Sequence, residues 1–284
     1  MADPGLYFAT EVFQGLTCVR LCHASGDAAL VALHGAQVLS WMAGGVERLY
    51  VSPKSVMDGQ AAIRGGIPLC FPQFNQRGPL VKHGFARHLR WAPGPVRVEG
   101  SEVVAEFGLT QSEATLAVWP HAFAGRLRIR LGAGRLQLDF SVHNTGAAAL
   151  SFTLALHSYL RVSDIAGVRL EGLDGQPVWD SVTERHARQA GPLRFTEEFD
   201  RVFQAAAGPL VLSDAARQLR IAQSPNFGQT VVWNPGLSRC ATLADMPPEG
   251  YQHMLCVEAA QVDAPIDLAA GASWAGWQTL TVAG

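Results

Sequence analysis

From Arg126 to Val142 the chain alternates between polar and apolar residues, and this alternation limits the possible folds more than any other feature. Arg126-Leu-Arg-Ile-Arg-Leu131 takes polar and apolar residues in turn, Gly132-Ala-Gly134 interrupts, and Arg135-Leu-Gln-Leu-Asp-Phe-Ser-Val142 resumes the pattern. Period two is the strand period, and glycines between two such runs mark a hairpin. Asn144-Thr-Gly146 makes the next turn, and Leu150 to Arg161 supplies a longer third strand, so an antiparallel meander of three is expected. Similar short runs recur at Ala28 to Leu33, Val103 to Leu109, Leu210 to Leu212, Gln229 to Trp233, His253 to Glu258 and Ser273 to Val282.

Helical periodicity is missing; only Asp214 to Leu219 suggests a turn or short helix. Many strands without alternating helices imply an all-β sandwich of antiparallel sheets. At 284 residues such a sandwich can remain one domain, and none of the chain reads as a linker or repeat, so residues 1–284 are taken as a single domain. Charged residues make up only 16% of the chain and the net charge is −2, which argues against disorder and against nucleic acid as a partner. The N-terminal Met-Ala-Asp-Pro-Gly-Leu-Tyr lacks the basic and apolar regions of a signal peptide, and no run is long enough to span a bilayer. A soluble, cytoplasmic, monomeric protein without a membrane partner is expected. Five cysteines without CxxC spacing indicate neither a disulfide framework nor a zinc knuckle. Cys18-x3-Cys22-His23 imitates a metal half-site, yet its alternation with Val19 and Leu21 reads as a strand, and no metal or other cofactor is expected.

The piece from Pro68 to Pro95 is too long and too rich in proline and glycine for an ordinary connection, and loops of this kind tend to carry function. Between Lys54 and Arg90 there are six basic residues and one acid, Asp58. Arg64 precedes Gly65-Gly66, and Arg87 closes His83-Gly-Phe-Ala-Arg87. Two guanidiniums on one site would bind a phosphate through charge-assisted, bidentate hydrogen bonds; the alternative is a pair of surface arginines on a long loop. Neither GxxxxGK[ST] nor GxGxxG is present, which disfavours a nucleotide.

Two further residues could carry acid–base chemistry. Period two puts Phe152, Leu154 and Leu156 on one face and Thr153, Ala155, His157, Tyr159 and Arg161 on the other. His157 thus falls on the more polar face, as a ligand-facing imidazole or as an ordinary hydrogen-bonded one. Glu258 lies within Met254-Leu-Cys-Val-Glu-Ala-Ala260, where a carboxylate is costly unless paired. It is either tuned for proton transfer or paired with an arginine. Asp200, in Phe195-Thr-Glu-Glu-Phe-Asp-Arg-Val-Phe203, is a weak signal alone, since a turn acid would look the same.

Taken in order, Arg64-Gly-Gly-Ile-Pro-Leu-Cys-Phe-Pro-Gln, His83-Gly-Phe-Ala-Arg87, Leu156-His-Ser-Tyr-Leu, the segment around Asp200, Val231-Val-Trp-Asn-Pro235, Asp245-Met-Pro-Pro-Glu-Gly-Tyr251 and Cys256-Val-Glu-Ala-Ala260 resemble the hexose-6-phosphate mutarotase branch of the aldose 1-epimerase family. The resemblance implies a galactose mutarotase-like β-supersandwich and an isomerase that interconverts the α and β anomers of a hexose 6-phosphate. It implies His157 and Glu258 as the catalytic pair, Asp200 as a substrate contact, and Arg64 and Arg87 as sugar-phosphate contacts. Lys82 stands where family members can carry glutamine, and His83 matches the motif; both are candidate substrate-binding residues. A mutarotase for free aldoses and a noncatalytic sugar-phosphate-binding module are the rival readings.

Overall fold

The hairpin expected from alternation forms between Phe123–Gly132 and Arg135–Asn144, with Leu136 opposite Leu131 and Phe140 opposite Leu127. The structure, a computed structural model, describes residues 7–215 and 217–283; the N-terminal reading of Met1 to Leu6 lies outside them. Apolar members of the hairpin (Leu127, Ile129, Leu131, Leu136, Leu138, Phe140) are all buried. The polar members face outward and pair instead: Arg128 and Arg130 reach Glu99, and Arg130 also reaches Asp139.

This hairpin sits in an eight-stranded back sheet, ordered Arg169–Glu171, Leu210–Asp214, Arg217–Gln223, Ser273–Val282, Arg135–Asn144, Phe123–Gly132, Glu102–Thr110 and Ala92–Glu99. A second eight-stranded sheet, the front sheet, is ordered Arg185–Arg188, Pro177–Asp180, Phe199–Gln204, Gln229–Asn234, Met254–Leu268, Leu150–Leu156 and Leu69–Cys70, with Tyr159–Arg161 also paired to Met254–Leu268. A five-stranded sheet spans Tyr7–Phe13, Leu16–Cys22, Ala28–Ala32, Val38–Ala43 and Val46–Glu47. Every strand pairing named within these sheets is antiparallel, as the sequence implied. The α-helices Glu113–Val118 and Gly236–Cys240 are short, and among the described residues no helix is long and apolar enough to cross a membrane.

The expected meander is corrected at its third strand. Leu150–Leu156 leaves the hairpin for the front sheet, and the C-terminal strand Ser273–Val282 takes the place beside Arg135–Asn144. Asn144 makes the switch: its side-chain amide donates to the carbonyls of Ala148 and Leu268, and its Oδ1 accepts from Gly146 N–H, which turns the chain across to the other layer. Nor does the strand run unbroken from Leu150 to Arg161; it stops at Leu156 and resumes at Tyr159. Asp214 to Leu219 is the turn of a hairpin rather than a helix, because buried Leu219 and Ile221 alternate with exposed Gln218 and Arg220; Ala216 lies outside the described residues.

Between the layers one cluster of buried apolar side chains runs from Val19 to Leu280 and draws on all three sheets. Phe71, from the long loop, is fully buried and sits 5.3 Å from Phe140 of the back sheet and 5.3 Å from Phe152 of the front sheet. The loop is therefore anchored through the core at one end, which fixes what it presents at the other.

Candidate active site

Strand register assembles the site on the outer face of the front sheet. Asp200 lies opposite Trp233, Trp233 opposite Cys256, and Cys256 opposite Tyr159. Directly opposed residues share a face, so these four form one row across the sheet. Glu258, two residues beyond Cys256, points the same way, while Leu255, Val257 and Ala259 enter the core between the sheets.

His157 occupies the break between the two strand segments. Its backbone N–H donates to the carbonyl of Pro68, and the neighbouring Ser158 hydroxyl donates to Gln278 Oε1 of the back sheet at 2.5 Å. The kink is thus held from both layers. The imidazole stacks on Tyr159 at 4.7 Å with an interplanar angle of 9°, and Trp233 meets it edge-on at 6.1 Å. Its Nδ1 is 3.3 Å from Glu258 Oε1. The two are not aligned as a hydrogen bond, and His157 Nδ1 and Glu258 Oε2 are both buried without a hydrogen-bond partner.

Burial dominates the electrostatics of this pair. It pushes the Glu258 carboxyl well above the usual carboxylate range, and the charge of Asp200 pushes the same way. Burial also holds His157 well below the ordinary imidazole value, with Arg87, Arg64 and Lys82 adding repulsion. No arginine pairs with Glu258 among the described residues, which removes the structural alternative left open by the sequence. Desolvation favours the neutral form of each group, the carboxyl over the carboxylate and the imidazole over the imidazolium.

Arg64 is tied down. Its Nε lies 2.8 Å from Asp245 Oδ1 and its Nη1 donates to Tyr159 Oη at 3.3 Å, with the guanidinium 6.0 Å from the Trp233 ring. Burial opposes its charge, but Tyr159 and Asp245 outweigh burial and hold the pKa up. The glycines after it do not cradle an anion: a Cβ on Gly66 would fall 2.1 Å from Val38 O, so their close approach is to the protein's own backbone, which seats Arg64. Arg87 donates from Nη2 to the Lys82 carbonyl, and its Nε is buried without a partner. Lys82 has no side-chain partner among the described residues, and burial, then Arg239, Arg64 and Arg87, drive its ammonium pKa down.

His83 is buried at positive φ, edge-on to His157 at 5.5 Å, and its Nδ1 accepts from Asn75 N–H. With Nδ1 as acceptor the ring is neutral and its proton is on Nε2; burial, with Arg87, Lys82 and Arg64 adding repulsion, keeps it so. Asp200 is part of a strand, not a turn; its carboxyl is raised by burial, and Arg201 pairs with Asp180 instead. All seven candidate residues therefore converge on one region. Sequence reasoning missed Trp233 and Asp245, although each stands inside a motif that had been singled out, and it missed Arg239, which lies in no such motif. A hollow of about 690 Å³ on the outer face of the back sheet, lined by Gly94, Gly108, Gly125 and Trp274 among others, contains none of these residues; chemistry rather than volume marks the site.

The aldose 1-epimerase family profile matches residues 17–281. A protein from Cenchrus ciliaris, provisionally named glucose-6-phosphate 1-epimerase, is 37% identical over 274 residues, covering 92% of this chain and 83% of its own length. The crystal structure of YeaD from Salmonella typhimurium, provisionally described as a mutarotase, superposes with a TM-score of 0.90 at 31% identity, covering 100% of this chain and 95% of that one. A galactose mutarotase-like protein from Clostridium acetobutylicum shares the fold at a TM-score of 0.78 and 15% identity, over 99% of this chain and 100% of its own. Fold and comparisons together define an epimerase, an enzyme of the isomerase class on a galactose mutarotase-like sandwich. The chain belongs to the aldose 1-epimerase family.

Proposed function

We propose that this enzyme interconverts the α and β anomers of glucose 6-phosphate and related hexose 6-phosphates, with His157 and Glu258 as the acid–base pair. The observation that carries the reading is the buried, mutually unsatisfied pair, His157 Nδ1 3.3 Å from Glu258 Oε1, with Arg64, Lys82 and Arg87 close enough to repel charge on the imidazole.

Glu258, ionised, takes the proton of the C1 hydroxyl while His157, protonated, gives one to the ring oxygen O5. The C1–O5 bond breaks and an open-chain aldehyde forms. Rotation about C1–C2 presents the other face of the carbonyl, and the same two groups in reversed roles reclose the ring. Without substrate, desolvation favours the proton on the carboxyl. A phosphate dianion among the cations cancels the repulsion that opposes an imidazolium, which moves that proton toward His157 and makes Glu258 a base. The substrate's own charge thus helps to set the protonation state its reaction needs.

Lys82, Arg87 and Arg239 have no acidic partner among the described residues and repel one another's charge, and they are the phosphate contacts in this reading. Arg64, already neutralised by Asp245, keeps Tyr159 and hence the His157 ring in place. Asp200 and His83 hold sugar hydroxyls. Supporting the phosphate over a free sugar is this surplus of positive charge beside the pair. Exchange NMR of the anomers tests it: kcat/KM for glucose 6-phosphate should exceed that for glucose by at least about tenfold, the effect of one charge-assisted contact. Equal values would make the protein a mutarotase of free aldoses.

A further inference from the structure

Cys256 plays no part in the mechanism above. It is fully buried, its thiol makes no hydrogen bond among the described residues, and it points to the same face as Glu258 two residues on. Its Sγ, a ring nitrogen of His157 and a carboxylate oxygen of Glu258 all lie within 4.8 Å of one another. A second observation comes from the polar atoms themselves: His157 Nδ1 and Glu258 Oε2 are unpartnered, in side chains 9% and 1% exposed.

The distances suit a particular kind of ion. A tetrahedral zinc with bonds of about 2.0–2.1 Å to nitrogen and oxygen holds those two ligands roughly 3.3 Å apart, and His157 Nδ1 is 3.3 Å from Glu258 Oε1. Closing the thiol onto the same ion needs a further movement of about 1 Å, given a Zn–S bond near 2.3 Å. Thiolate, imidazole and carboxylate together suit zinc or cobalt, whereas magnesium and calcium want oxygen ligands throughout. Three protein ligands leave a fourth position for water.

We infer that Cys256, His157 and Glu258 form an inhibitory site for a zinc-type divalent cation, which occupies the acid–base pair in competition with the sugar. On binding, the Cys256 thiol and the Glu258 carboxyl each give a proton to solvent, the thiolate, imidazole and carboxylate each donate a lone pair to the metal, and no redox change occurs. With His157 and Glu258 coordinated, neither can exchange a proton with C1–OH or O5. The inhibitory consequence rests on the acid–base reading above; the binding does not.

The full chain, metal-free and without an affinity tag, is titrated with Co²⁺ alone and followed by absorption. The expected result is a thiolate-to-cobalt charge-transfer band saturating at one equivalent, lost when a hexose 6-phosphate is added. Cys256→Ser should abolish the band and weaken binding at least about tenfold, the lower end of what disturbing a metal ligand's surroundings costs. No band at one equivalent, or a Cys256→Ser protein that titrates like the wild type, overturns the site. Should Cys256→Ser fail to fold, the wild-type band decides alone. In a parallel assay Zn²⁺ should raise the apparent KM for glucose 6-phosphate, reversibly with EDTA. A protein that shows the band but turns over no sugar would retain the metal site and lose the function; an active enzyme without the band would do the reverse.

Discussion

At the residue scale, His157 and Glu258 are ordinary groups made unusual by burial. Neither is shifted mainly by the other: the carboxyl rises through desolvation and Asp200, and the imidazole falls through desolvation and three cations. A sequence can disclose such a carboxylate, because Met254-Leu-Cys-Val-Glu-Ala-Ala260 leaves it no polar neighbour. It cannot disclose what stands opposite. Trp233, Cys256 and Tyr159 are far apart in the chain and meet only through strand register. Arg64 shows the same limit, since its pairing with Asp245 joins residues that the sequence separates widely. The division of labour among the cations can be tested residue by residue. Arg87→Ala removes an unpaired guanidinium and should raise KM for glucose 6-phosphate by roughly 10- to 100-fold, the worth of a hydrogen bond to a charged group, while changing KM for glucose little. An equal rise for both sugars would mean that Arg87 holds the loop rather than the phosphate.

At the scale of elements, the two strands of the first hairpin were legible because each apolar side chain faces the core and each polar one faces water. Leu150–Leu156 was legible as a strand but not as a member of the front sheet, because alternation reports which residues are buried and says nothing about which strand lies alongside. That choice falls to Asn144, a single buried amide at the crossover. The outward face of the back sheet carries its own device, in which Glu99 accepts from Arg97, Arg128 and Arg130. Hydrogen bonds from Arg97 and then Arg130 lower the Glu99 carboxyl from 4.5 to about 2. A depressed carboxylate contributes stability that is complete above its unfolded pKa and disappears as pH falls through the folded one. Glu99→Gln should therefore be less stable than the wild type at pH 7, with the difference shrinking as pH falls from about 4.5 toward 2. Urea midpoints at several pH values measure this. A difference that stays constant over that range would mean that Glu99 acts through packing rather than charge.

At the scale of the whole molecule, the sandwich gives the chemistry a rigid floor and the loop from Pro68 to Pro95 gives it a charged rim. The loop is irregular in outline, yet Phe71 pins it between the two large sheets, so Arg87 and His83 stand on a fixed base. The same cluster of apolar side chains reaches all three sheets, and we propose that residues 1–284 fold as one unit. Urea unfolding followed by tryptophan fluorescence and by circular dichroism should give coincident transitions; two separated steps would divide the chain. The central claim, that a buried histidine and glutamate open and close the sugar ring, is tested most directly by anomer exchange with single substitutions in that pair. His157→Ala and Glu258→Gln, each shown to be folded, should lower kcat for glucose 6-phosphate by roughly 10²- to 10⁴-fold, the range of a general acid or base, and leave exchange near its spontaneous rate. A folded Glu258→Gln enzyme that exchanges the anomers as fast as the wild type would contradict it.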